Sequence, residues 1–101
     1  MAVGDVYQLF DATIGATEFL TMQPSAGVEV VVHNITVNPT DAASISALEF
    51  YDGTDAYVVD TITGSGSWMG MFLHCTNTAY YRVNPSDATN TKGCCDGMVT
   101  K

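Results

Sequence analysis

The sequence predicts an all-β fold, a single antiparallel β-sandwich of about eight strands in a jelly-roll-like arrangement. Three observations carry that expectation. Short runs rich in Val, Ile, Thr and aromatic residues recur along the whole chain, at the spacing of about 8–12 residues typical of all-β domains. Clusters of Gly, Pro, Asn, Asp and Ser punctuate them, and no stretch joins helical apolar spacing to good helix formers. At 101 residues the chain has the size of one domain, 1–101, and no repeat, linker or low-complexity segment divides it.

Taken in order, strands are expected over residues 6–14, 17–22, 28–37, 47–51, 56–62, 68–75, 79–83 and 94–100. The turns between them have their own chemistry: "QPSAG" before Val28, "NPTDAAS" after Val37, "YDGTD" at 51–55, "TGSGS" at 63–67 and "NPSDATNTKG" at 84–93. In "YDGTD", Asp52-Gly53 suits a turn that needs positive φ and joins "LEFY" to "AYVV" as a hairpin. The segment "TDAASISAL" at 40–48 has one capping Asp but poor helix formers at Ser44, Ile45 and Ser46, so it reads as a loop.

Two of these runs are apolar on both faces when read with strict alternation. In "VEVVVHNITV", Val31, Ile35 and Val37 share a face with His33, while Val30 and Val32 lie on the other. In "WMGMFLHC", Trp68 and Phe72 oppose Met69, Met71, Leu73 and Cys75. A sandwich strand turns only one face to the core, so a second apolar face needs a cover. A further copy of the chain is the expected cover, with Val30, Val32, Trp68, Met69, Met71, Phe72, Leu73 and Tyr80 as interface residues. The chain's own N-terminal segment is the alternative, and residues 1–15 are expected to form an arm.

Composition narrows the function. Three cations, Arg82, Lys92 and Lys101, stand against 11 Asp and Glu, for a net charge of −8. Affinity for phosphate backbones comes from Lys and Arg, so direct nucleic-acid binding is not expected. No run approaches the roughly 18 apolar residues of a membrane span, and "MAVGDVYQLFDATIG" has neither a basic nor a continuous apolar signal region; synthesis in the cytosol, with no membrane contact, is expected. The odd count of three cysteines, Cys75, Cys94 and Cys95, fits a reducing compartment. Cys94 and Cys95 are adjacent and point to opposite faces of a strand, which opposes a bridge between them.

No constellation specifies an enzyme, and the reading assigns no catalytic, cofactor or metal site. His74 and Cys75 are neighbours and diverge on a strand, which defeats a Cys–His pair. His33, His74 and the thiols show no metal-ligand spacing. The carboxylates fall mainly at strand ends and turns, where Asp stabilises turns and no glycosidase pair stands out. "NIT" at Asn34 matches a glycosylation acceptor inside an apolar strand and reads as chance.

The succession "TMQPSAGVEVVVHNITV", "LEFYDGTDAYVV" and "GSGSWMGMFLHCTNTAYYRVNPS", closing on "CCDGMVTK", resembles small β-sandwich virion proteins of tailed bacteriophages, of the head decoration or cement type. The resemblance runs from about Thr17 to the end. It implies a structural protein on the outer capsid surface, assembled in the host cytoplasm, bound to the major capsid protein and commonly trimeric. The alternative it leaves open is a tail or head-tip accessory module that binds a host glycan or another virion protein.

Overall fold

The computed structural model describes residues 2–15, 17–87 and 90–101. It is an antiparallel sandwich with no helix among those residues. Nine strands follow one another: β1 (Val6–Ile14), β2 (Leu20–Thr21), β3 (Val30–Pro39), β4 (Ile45–Tyr51), β5 (Ala56–Thr63), β6 (Gly66–Trp68), β7 (Leu73–Cys75), β8 (Tyr80–Pro85) and β9 (Thr91–Val99). The first sheet has the order β1-β9-β3-β6, with β7 also on β3, and the second β2-β8-β4-β5. With β6 and β7 taken as one interrupted strand, this is the jelly-roll order the sequence suggests.

The expected strands are present with shifted ends. The run at 17–22 shortens to the two residues of β2, and the run at 68–75 divides into β6 and β7. The segment expected as an arm is an integral strand: β1 pairs with β9 from Val6↔Met98 to Ile14↔Thr91 and sends Tyr7 and Ile14 into the core. The turn expected at 84–93 includes residues 88 and 89, which lie outside the described residues, as does residue 1 of the arm.

The core explains why two strands read as apolar on both faces. Val32 pairs with Gly97 and Asn34 with Asp96, so His33 is an extra residue, a β-bulge. One inserted residue switches the alternation. Val30 and Val32 before it, and Ile35 and Val37 after it, therefore all face the core at 0% exposure. The second apolar face of this strand does not exist.

The neighbouring run solves the same problem differently. Trp68 pairs with Ile35, while Leu73 and Cys75 pair with Val32 and Val30. All three of Trp68, Leu73 and Cys75 are buried, because residues 69–72 leave the sheet and re-enter in the face-correcting register. The reading of these two strands as apolar on both faces is corrected on both counts.

The opposing sheet contributes Leu20, Leu48 and Val83, with Met22 beyond β2, all buried in the same core. The β4–β5 hairpin forms as the sequence predicts. Gly53 sits at φ +99°, and Asp52 Oδ1 accepts the N–H groups of Thr54 and Asp55 at 2.9 and 2.7 Å. These bonds, with Asp55's the stronger, hold the Asp52 carboxyl below its ordinary range.

Ser46 lies at 0% exposure, and its hydroxyl finds no hydrogen-bond partner among the described residues. An unpaired buried hydroxyl carries a desolvation cost that alanine does not. Ser46→Ala is therefore expected to leave stability unchanged or raise it by about 1 kcal/mol, read from the urea midpoint at constant slope.

Candidate interaction surface

The eight residues expected at an interface separate sharply. Val30, Val32, Trp68 and Leu73 belong to the core of the single chain, and their side chains have no surface to offer. Trp68 also closes the side of the sandwich, its indole N–H donating to Asp60 Oδ2 at 2.8 Å. Met71 and Tyr80 are half-buried and pack on the core margin. Met69 and Phe72 remain exposed, at 66% and 82%.

Those last two sit on the excursion between β6 and β7, which is tied to the sheet from several directions. The Met71 N–H donates to the His33 carbonyl at 2.8 Å, and His33 Nδ1 bonds the Met71 carbonyl at 2.9 Å. The Gly70 N–H donates to Asn34 Oδ1 at 3.1 Å, while Asn34 Nδ2 donates to Asp96 Oδ1 at 2.8 Å. Gly70 takes φ +67°, the left-handed conformation the loop needs to turn. The His33 ring meets Phe72 edge-on, with centroids 5.4 Å apart.

The result is a fixed loop that presents two large apolar side chains to solvent. Asn34 of "NIT" thus has a structural task on this loop, and His33, the bulge residue, supplies its anchor. The sequence signal was the break in alternation itself, which marked the position without showing that a bulge and a loop would share it.

On the outer side of the first sheet, Phe10, Ala12, Thr36, Lys92, Gly93 and Cys94 line a shallow groove of about 220 Å³. Phe10 is 74% exposed there, and Val6, two alternations back on the same face of β1, is exposed as well. The thiols divide as alternation requires: Cys95 points into the core, Cys94 outward into this groove, and Cys75 inward beside outward His74. All three are free.

Burial pushes the Cys75 thiol up and that of Cys95 up to about 12, because a thiolate loses its hydration there. In folded protein only Cys94 is therefore expected to react promptly with a thiol reagent at mildly alkaline pH. Cys75 and Cys95 should follow only after denaturation, and mass spectrometry of labelled peptides checks the order. Prompt labelling of Cys95 in folded protein contradicts the burial.

The outer face of the second sheet is organised around Arg82. Its Nε donates to Glu49 Oε1 at 3.0 Å, and its guanidinium lies 4.0 Å from the Phe19 ring centroid and 4.6 Å from that of Tyr51. Tyr80 stands against Tyr51 with centroids 5.5 Å apart. On the first sheet, just before β3, Glu29 receives His74 Nε2 at 2.7 Å and Lys101 Nζ at 3.4 Å. His74 first, then Lys101, draw the Glu29 carboxyl below its ordinary range.

Among the described residues, no three His, Cys, Asp or Glu side chains form a metal-sized cluster. Among the described residues, no helix is long and apolar enough to cross a membrane. Compared with protein-family models and with curated proteins, the chain matches none.

Proposed function

We propose that this chain is a structural virion protein that decorates the outer surface of a phage head and stabilises it as cement. The observation that carries the reading is the Met69–Phe72 loop, two exposed apolar side chains held on a hydrogen-bonded frame. A fixed aromatic projecting from a sheet edge is the kind of anchor that fills a pocket on a partner, since little ordering entropy is lost on binding. The jelly-roll-like fold and the sequence resemblance to head decoration proteins support the same conclusion. In this reading the partner is the major capsid protein, and the chain acts as a homotrimer whose contacts lie along the exposed apolar edges. The acidic surface then faces outward and keeps a particle carrying many copies soluble.

The test is binding of purified protein to empty heads across a salt series. Attachment is expected to persist at 1 M salt, where a Debye length of about 3 Å removes long-range ion pairing and leaves apolar burial intact. Phe72→Ala should weaken it about tenfold to a hundredfold, since burying a Phe side chain stabilises by about 1.5–3 kcal/mol. Release of the unaltered protein at moderate salt, or full binding by the Phe72 variant, overturns this reading. Sedimentation that finds only monomer, free and on heads alike, removes the trimer.

A second reading has one observation in its favour. Phe19, Tyr51 and Tyr80 bring aromatic rings to the outer face of the second sheet beside Arg82 and Asn84, a composition that suits a sugar ring. It makes the chain a tail or head-tip module that binds a host glycan. Retention on immobilised host polysaccharide, lost in Tyr80→Ala and unaffected in Phe72→Ala, favours it over the capsid reading.

A further inference from the structure

We propose that the free edge of β5 is a docking site for an extended strand from a basic partner chain, which adds to the second sheet by backbone pairing. The inference stands apart from the virion reading and concerns the opposite sheet from the Met69–Phe72 loop.

The four sheet edges are treated differently by the sequence. β2 is two residues long, and the β6–β7 edge is interrupted by its excursion, both of which blunt an edge. β1 plugs the core with Tyr7 and Ile14 and bulges between Asp11 and Ile14. β5 has eight residues, seven of them exposed, and only Ile62 reaches toward the core. Three successive large side chains on it, Tyr57, Val58 and Val59, are 52%, 62% and 53% exposed.

β4 takes one side of β5, and among the described residues no strand pairs with the other. The edge carries neither Pro nor Lys, the residues that discourage such pairing. Its bulge at Val59 leaves both Val58 and Val59 exposed, so the twist does not remove them from solvent.

Charge selects the occupant. Asp52 and Asp55 stand at the hairpin end of β5 and Asp60 within it. Asp52 and Asp60 are both hydrogen-bonded within the chain. No Lys or Arg lies on β4, β5 or their turn, and the Arg82 charge on β8 is met by Glu49. A second copy would bring the same acidic edge, with Asp52, Asp55 and Asp60, against itself. An incoming strand with Lys or Arg flanking alternate apolar residues meets both the backbone row and the carboxylates.

The experiment uses the full chain and two synthetic peptides of β5's length, each alternating Val and Thr, one ending in Lys at both ends and the other in Glu. Backbone amide exchange is followed by NMR. The Lys peptide is expected to slow exchange across residues 56–63, with the Glu peptide about tenfold weaker at low salt and the difference shrinking at high salt. Val59→Lys and, separately, Thr61→Lys place a cation on the edge and should each abolish that protection while the melting temperature stays within a few degrees. Thr61→Lys serves if Val59→Lys disturbs the bulge. Equal binding of the two peptides, protection outside β5, or no binding overturns the proposal. Protection of β5 that grows with protein concentration alone, without peptide, assigns the edge to a second copy and overturns it as well.

Discussion

Gly97→Ala is expected to be among the most destabilising single-methyl additions the chain can receive. Gly97 on β9 lies opposite Val32 at the point where His33 bulges out of β3. A Cβ built there falls 2.8 Å from the Val32 Cα and closer still to the Val31 carbonyl oxygen. Overpacking usually relaxes by rotating a side chain, at about 1–3 kcal/mol. Here the obstacle is backbone, so the β3–β9 ladder must separate. A loss of about 3 kcal/mol or more is expected, a large share of the roughly 5–15 kcal/mol that holds a domain of this size.

Gly93→Ala is the control. Its Cβ meets the ends of Ile14 and Leu20 side chains, at 2.8 and 3.3 Å, and these can turn aside. Urea unfolding should therefore show the Gly97 variant clearly less stable than the Gly93 variant. Equal midpoints would mean that the bulge accommodates a methyl and that the close approach is not a constraint.

The same bulge shows where the sequence could be read and where it could not. Strand positions and the Asp52-Gly53 hairpin were legible because Val, Ile and Thr runs and turn residues act locally, through side-chain fit to a pleat and through φ. The face of each side chain was not, because one inserted residue inverts every face after it. "VEVVVHNITV" contains no Gly or Pro to mark His33 as the extra residue. The reason lies 64 positions away, where Gly97 leaves room for the bulged backbone.

Strict alternation consequently placed Val30 and Val32 on a surface when they belong to the core. It also merged β6 with β7 across Gly70. The exposed pair Met69 and Phe72 was within the stretch that the sequence singled out, but its presentation depends on Asn34 and His33, contacts across strands that composition does not reveal. The Arg82 cluster was missed altogether, since Phe19, Glu49, Tyr51 and Arg82 are scattered in sequence and meet only once β2, β4 and β8 are neighbours.

Arg82→Ala is expected to be the costliest change on the outer face of the second sheet. Glu49 is 8% exposed, and with Arg82 gone its carboxylate keeps, among the described residues, only the long 3.4 Å contact from Asn84 Nδ2. Breaking a buried ion pair from one side costs about 3–5 kcal/mol, because the remaining charge is left without compensation. Arg82 keeps 18% of its side chain exposed, so water reaches the pair and the cost falls toward about 2–3 kcal/mol. The guanidinium also covers Phe19 and Tyr51, and that packing goes with it. Arg82→Lys keeps the charge but loses the planar stack and the Nε bond, so it should recover only part of the loss. Glu49→Gln combined with Arg82→Met removes both charges and retains a long side chain over the rings; it should be more stable than Arg82→Met alone. A double-mutant cycle on these two positions by urea unfolding reads the coupling directly. A coupling below about 0.5 kcal/mol would place the pair with ordinary surface ion pairs and leave the aromatic stack as the reason for an arginine at this position.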